Sequence, residues 1–85
     1  MTKTVSSHAS AEMIKILVKT RVDAGVTQVQ LARMLNKPQS WVSFVETNVR
    51  RIDVIEFYAI ATAIGADPEK LFGVVVKKIK KLVNI

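Results

Sequence analysis

A three-residue break, Asn36-Lys37-Pro38, separates two short helical patterns and limits the possible fold more than any other feature of the chain. Before it stands Gly25-Val26-Thr27-Gln28-Val29-Gln30-Leu31-Ala32-Arg33-Met34-Leu35. After it comes Gln39-Ser40-Trp41-Val42-Ser43-Phe44-Val45-Glu46. Thr27, with Gln30 three residues later, fits a capping box, in which each residue's side chain satisfies the other's backbone donor. Val29, Leu31, Ala32 and Leu35 supply the apolar positions of this helix. Asn36 can close it in the left-handed conformation. Pro38 suits the first turn of the next helix, where a missing N–H leaves no bond unmade. Val42 and Val45 form that helix's buried pair, and its opposite face opens with small polar side chains.

In the flanking sequence, Ala11 to Ala24 reads as a helix, with Ile14, Leu17 and Arg21 at spacings of three and four and Met13 and Ala24 beside them. Ser7 or Ser10 is its candidate cap, which leaves 1–10 as a flexible arm. Gly25 ends this helix, because glycine takes left-handed geometry without strain. Thr47 to Ile52 reads as a loop. Asp53-Val54-Ile55-Glu56 is a second capping box, opening a helix to Ile64 with Phe57, Ile60, Ala61 and Ile64 inward. Gly65 stops it. Asp67-Pro68 starts a fifth helix, with Leu71 and Phe72 as core anchors. From Gly73 to Ile85 two readings compete. A helix puts Val75, Ile79, Leu82 and Val83 on one face and the lysines on the other, whereas Val74-Val75-Val76 favours a strand. The helix, continuing the fifth with Gly73 as a candidate break, is preferred. The expected fold is all-α: a compact five-helix domain over 11–73 and a short basic amphipathic tail over 74–85.

Eighty-five residues, 49% of them hydrophobic, allow one small core. A domain of this size buries only about 60% of its unfolded surface, so a second copy would help it. The absence of cysteine excludes disulfides and thiolate metal sites. No apolar run approaches the ~20 residues that cross a bilayer. Met1 to Ser10 also lacks the apolar core of a signal peptide, so a cytoplasmic protein without membrane association is the simplest reading. His8 is the only histidine, the carboxylates are scattered and there is no Gly-rich phosphate loop. The expectation is therefore no enzyme, no metal and no cofactor. The net charge of +6 is concentrated at the end, where Lys77, Lys78, Lys80 and Lys81 follow the last acid, Glu69. Such a balance suits polyanion binding, although a solvated lysine face explains the tail equally well.

Two short helices at a tight turn, the second with a polar outer face, are how a helix-turn-helix offers a recognition helix to the major groove of DNA. On that reading Gln28, in the first turn of the leading helix, can donate to a phosphate that the helix N-terminus also favours. Gln39, Ser40, Ser43 and Phe44 face the bases. Glutamine can bond N6 and N7 of adenine, and serine can donate or accept at several base edges. Phe44 is unusual there: it packs against a thymine methyl, folds back on the domain or marks a protein contact, and packing is preferred over base contact. Trp41 is expected beside the core, half-buried, with its indole N–H toward solvent or a phosphate. Arg50 and Arg51 can clamp phosphate, and Lys37 and Arg33 flank the same surface. Arg21 lies among core positions and needs a partner, for which Glu46 is the best carboxylate.

From about Ile14 to Phe72 the sequence resembles the Cro/phage-repressor (XRE-type) helix-turn-helix family. The matching residues are Arg21, Gly25-Val26-Thr27-Gln28, Leu31-Ala32, Leu35, Gln39-Ser40, Val42-Ser43, Val45-Glu46, Ile60-Ala61, Ala63-Ile64-Gly65 and Leu71-Phe72. The resemblance implies a five-helix domain that binds double-stranded operator DNA, usually as a symmetric homodimer. It also implies a phosphate contact at Gln28, base-facing positions at Gln39, Ser40, Ser43 and Phe44, and an internal Arg21–Glu46 ion pair. Asn36 stands where the family usually has glycine, and Phe44 where it usually has Arg or Lys. A phage or mobile-element repressor, a restriction–modification controller and an antitoxin all fit this size. The rival reading is a protein-interaction module that reuses the fold, with Trp41, Phe44 and the Val75–Val83 stripe as its surface. The same stripe is the candidate dimer seam.

Overall fold

The computed structural model describes residues 6–83. They form five helices: α1 (Ser6–Asp23), α2 (Gln28–Leu35), α3 (Gln39–Glu46), α4 (Val54–Ala63) and α5 (Pro68–Ile79), with no strand among the described residues. Local chemistry sets most of the boundaries. The Gln30 N–H donates to the Thr27 hydroxyl at 3.0 Å, and the Thr27 N–H donates to the Gln30 side chain at 2.9 Å. Asp53 and Glu56 repeat the arrangement ahead of α4, at 2.7 and 2.8 Å. Asp67 accepts the N–H groups of Glu69 and Lys70 at the start of α5. Asn36 closes α2 at φ 56°, a left-handed geometry that asparagine tolerates better than most residues. Pro38 sits one place earlier than expected, as the cap of α3, where its carbonyl accepts the Trp41 N–H at 3.0 Å.

α2 and α3 pack on each other, α1 lies against α3 and α5, and α4 lies against α2 and α5. Their inner residues merge into one core that includes Ile14, Leu17, Leu31, Val42, Val45, Phe57, Ile60, Ile64, Leu71 and Val75. Full burial of a Val or Leu side chain is worth about 1.5–3 kcal/mol. Leu31 with Ala32 on α2, and Val42 with Val45 on α3, are therefore what hold two eight-residue helices in place.

The structure departs from the sequence reading at both ends and at two apolar positions. α1 begins at Ser6, so residues 6–10 are helical rather than an arm, and Ser7 and Ser10 lie inside the helix instead of capping it. Ala9 is buried, and the Ser10 hydroxyl donates to the Asn48 side-chain oxygen at 2.7 Å, which fastens the added turn to the loop after α3. Residues 1–5 of the expected arm lie outside the described residues. At the other end, α5 runs through Gly73 without a break, so no boundary separates 73 from 74. Val75 is wholly buried and Ile79 packs on the core, so half of the expected free stripe already belongs to the monomer. Leu82 lies past the end of α5 and is exposed. Phe72 is 43% exposed rather than a core anchor. It stands about 100° round the helix from Leu71, and its ring meets Phe57 edge-on with centroids 5.5 Å apart. Val29 is also exposed, because Leu31, Ala32 and Leu35 take the inner face of its two-turn helix.

Candidate nucleic-acid interface

The alternation of side chains on α3 is built from its buried pair. With Val42 and Val45 turned into the core, Gln39, Ser40 and Phe44 are left exposed and Ser43 half-buried on the other side. Phe44 is 51% exposed and so does not fold back into the domain. The helix is closed by a turn in which Asn48 adopts φ 61° and the N–H groups of Val49 and Arg50 both donate to the Phe44 carbonyl, at 2.9 and 3.0 Å.

A chain of polar contacts links this face to the core. Arg21 is buried on α1. Its Nε donates to Glu46 Oε2 at 2.6 Å, its Nη2 to Glu46 Oε1 at 2.8 Å and its Nη1 to the Val26 carbonyl at 2.7 Å. Glu46 Oε1 also accepts from Gln28 Nε2 at 2.9 Å, and Gln28 Oε1 accepts from Gln39 Nε2 at 3.4 Å. Among the described residues no buried side-chain polar atom lacks a partner. Arg21 thus holds the end of α3, and Glu46 in turn holds the first residue of α2. One N–H of the Gln28 amide is engaged by Glu46, leaving the other available to an anion at the start of α2. The link between Gln28 and Glu46 is a contact that sequence reading missed.

A second cluster lies beside α3. The Lys37 ammonium is 5.4 Å from the centre of the half-buried Trp41 ring, and the Arg50 guanidinium carbon is 5.1 Å from it. Both fall within cation–π range. Arg50 Nη1 and Nη2 donate to the two oxygens of Glu56 at 3.2 and 3.1 Å, and Nη1 also donates to the Arg51 carbonyl at 2.7 Å. The Arg50 hydrogen bond holds the Glu56 carboxyl below its ordinary value. The Asp53 N–H and the charges of Arg50 and Lys37 add to the effect, while burial opposes it. Glu56 had been read only as a capping residue. Its place six residues after Arg50, at the start of the next helix, is the signal that could have paired them. Arg51 and Arg33 are exposed. The structure therefore brings Arg21, Glu46, Gln28 and Gln39 into one network, and Lys37, Trp41, Arg50 and Glu56 into another. Among the described residues no group of three or more histidines, cysteines or carboxylates converges as a metal site would.

The family model described as HTH_3, helix-turn-helix, matches residues 17–71, and the chain belongs to that family. Among solved structures, the chain is similar to an XRE-family like protein from Pseudomonas syringae pv. tomato str. DC3000. The two share 36% identity with a TM-score of 0.82, over 87% of this chain and 90% of that one. No curated protein matches. The fold and the α2–α3 pair are those of a helix-turn-helix DNA-binding domain. No helix among the described residues is long and apolar enough to cross a membrane.

Proposed function

We propose that the chain is a sequence-specific transcriptional regulator, a repressor that acts as a homodimer on a palindromic operator in the cytoplasm. The observation that carries this reading is the outer face of α3. Gln39, Ser40 and Ser43 stand there in a row, with Gln28 at one end and the Lys37–Trp41–Arg50 cluster beside them. Gln39, Ser40, Ser43 and Phe44 read base edges. Gln28, Lys37, Arg50, Arg51 and the Trp41 indole N–H contact phosphates. Two such helices would enter successive major grooves about 34 Å apart. Bound there, the dimer would cover a promoter and exclude polymerase.

We place the dimer seam on the exposed apolar residues of α4 and α5 in preference to the stripe from Val75 to Val83, of which Val75 and Ile79 already pack in the core. Val54, Ile55 and Tyr58 are 70, 71 and 59% exposed; Val54 and Tyr58 line a shallow hollow with the half-exposed Phe72, and Ile55 stands one turn before Tyr58 on α4. An apolar patch of this kind on a small domain is the usual mark of a contact surface. Ile55→Lys should convert a dimer to a monomer in sedimentation at micromolar concentration, and a variant that stays dimeric removes this seam. Phe44 supports the rival reading, a protein partner docked on α3, because an exposed aromatic ring is an interface anchor as readily as a thymine contact. The deciding experiment is binding-site selection from a random duplex library, followed by salt titration of the winner. An enriched inverted repeat whose affinity falls steeply with salt supports the regulator. Enrichment of nothing, or equal weak binding to every duplex, rejects it.

A further inference from the structure

The chain holds two Arg–Glu pairs of opposite character. Arg21 and Glu46 are both about nine-tenths buried, their bonds are 2.6 and 2.8 Å long, and each has further partners inside the fold. Arg50 and Glu56 are 41% and 24% exposed, and their bonds are 3.1 and 3.2 Å. A pair as open as this second one is weak and easily exchanged. It also stands on the flank of the recognition helix, where the arginine rests on Trp41.

We propose that Glu56 competes with DNA phosphate for Arg50, so that docking on DNA exchanges the Arg50–Glu56 pair for an Arg50–phosphate pair and Glu56 restrains the affinity for any duplex. This rests on the reading of α3 and its flank as the DNA-binding surface.

Three features make the exchange feasible. First, Glu56 is not stranded when the arginine leaves. The same oxygen that accepts from Arg50 also accepts the Asp53 N–H at 2.8 Å, so the carboxylate keeps its capping role at the start of α4. Second, Arg50 has donors left over. Its Nη1 and Nη2 engage Glu56 and its Nη1 engages the Arg51 carbonyl, whereas Nε and the second hydrogen of Nη2 form the other edge of the guanidinium fork. A phosphate can first be taken on that edge, beside the existing pair, and the pair then opened. Third, the Trp41 ring, 5.1 Å from the guanidinium carbon, offers Arg50 a contact that does not depend on Glu56, with the Lys37 ammonium 5.4 Å from the same ring. The restraint does not depend on base sequence, because phosphate contacts carry no sequence information directly. Glu56 therefore acts on affinity and leaves the preference set by Gln39, Ser40 and Ser43 in place.

Glu56→Gln removes the charge but keeps an oxygen for the Asp53 N–H, since glutamine serves in a capping box as well as glutamate. Titrations of the wild type, Glu56→Gln, Arg50→Ala and the double variant on the selected operator and on a scrambled duplex of equal length test the proposal. Thermal melts by circular dichroism verify that each variant is folded. Glu56→Gln should bind both duplexes about two- to fivefold more tightly, the range expected for freeing one exposed pair. Its plot of log affinity against log salt should steepen by up to about one unit, because the wild type's released carboxylate takes a cation back from solution. In the Arg50→Ala background the same substitution should change little. Weaker or unaltered binding by Glu56→Gln overturns the proposal. So does an equal gain with and without Arg50, which would make Glu56 a general repulsive charge rather than a competitor for one arginine. If the wild type itself fails to bind either duplex at low salt while melting cooperatively, the DNA-binding reading fails, and the exchange with it.

Discussion

Replacing Glu46 by glutamine should destabilise this domain more than any other change of a single functional group. The carboxylate accepts three hydrogen bonds: two from Arg21 at 2.6 and 2.8 Å and one from Gln28 at 2.9 Å. The Arg21 and Glu46 side chains are 11% and 10% exposed, so solvent and salt screen them far less than a surface pair. Glutamine has the same shape, but it turns an amide donor toward a guanidinium and leaves a buried arginine without its counter-charge. Breaking a buried pair from one side costs about 3–5 kcal/mol, and the tenth of each side chain that reaches water puts this case near ~3 kcal/mol. A domain of this length has roughly 4–13 kcal/mol of stability in all, so the loss is a large fraction of the total. Urea unfolding followed by circular dichroism should show the midpoint falling by about 3 M at a slope of about 1 kcal/mol/M. The companion variant, Arg21→Met with Glu46→Leu, removes both charges and should return to within about 1 kcal/mol of the wild type. It also takes away the anchor of Gln28, so DNA affinity should stay reduced while stability recovers. A loss under about 1 kcal/mol for Glu46→Gln, or a double variant as unstable as the single one, would refute the argument that the pair is buried and matched, and a double variant whose DNA affinity recovers with its stability would refute its part in aiming Gln28.

Three further outcomes follow from particular positions. The Glu56 carboxyl is held below its ordinary value mainly by the Arg50 bond, so its contribution is present at neutral pH and is lost as pH falls through the lowered value. The difference in urea midpoint between wild type and Glu56→Gln should therefore shrink on acidification below about pH 4, and a difference that grows there contradicts the sign. Gly73 lies inside α5 with open space where a Cβ would stand, so Gly73→Ala should stabilise the fold by about 0.5–1 kcal/mol in thermal melts. A lower melting temperature would mean that the position is occupied by something else. Phe44→Ala should leave stability within about 0.5 kcal/mol, because the ring is half in solvent, and should show its effect in operator or partner binding instead. An unfolded variant would place the ring in the core.

The helix order was readable because the punctuation is local. Thr27 with Gln30, Asp53 with Glu56, and Asp67-Pro68 act within one turn of the chain, so their bonds can be worked out from spacing alone. The Arg21–Glu46 pair is separated by 25 positions, yet it followed from the need to neutralise one charge at a core position. What stayed hidden depends on distance in space without such a need. Ser10 and Asn48 are two ordinary polar residues until α1 and the turn after α3 are brought together. Phe72 reads as core by composition, but Leu71 takes the inward position of α5 and leaves Phe72, about 100° round the helix, half outside and edge-on to Phe57. Glu56 hides because one role, the cap, already explains its presence, whereas its second partner sits in a loop whose path the sequence does not dictate.

α3 is bracketed by two asparagines in left-handed geometry, Asn36 ahead of it at φ 56° and Asn48 behind it at φ 61°. Pro38 caps the start of α3 and the turn through Thr47 and Asn48 ends it, so the helix spans eight residues, about 12 Å. On the proposed reading, anchorage and readout fall to separate positions. Val42 and Val45 hold the frame, while Gln39, Ser40 and Phe44 project from it, Gln39 reaching back to Gln28 at 3.4 Å. On that reading, a new target needs the exchange of only a few outward side chains, with Val42 and Val45 left in place. The same division makes the domain a cassette for engineering, in which the outer letters of one short helix can be rewritten while its mounting is left alone.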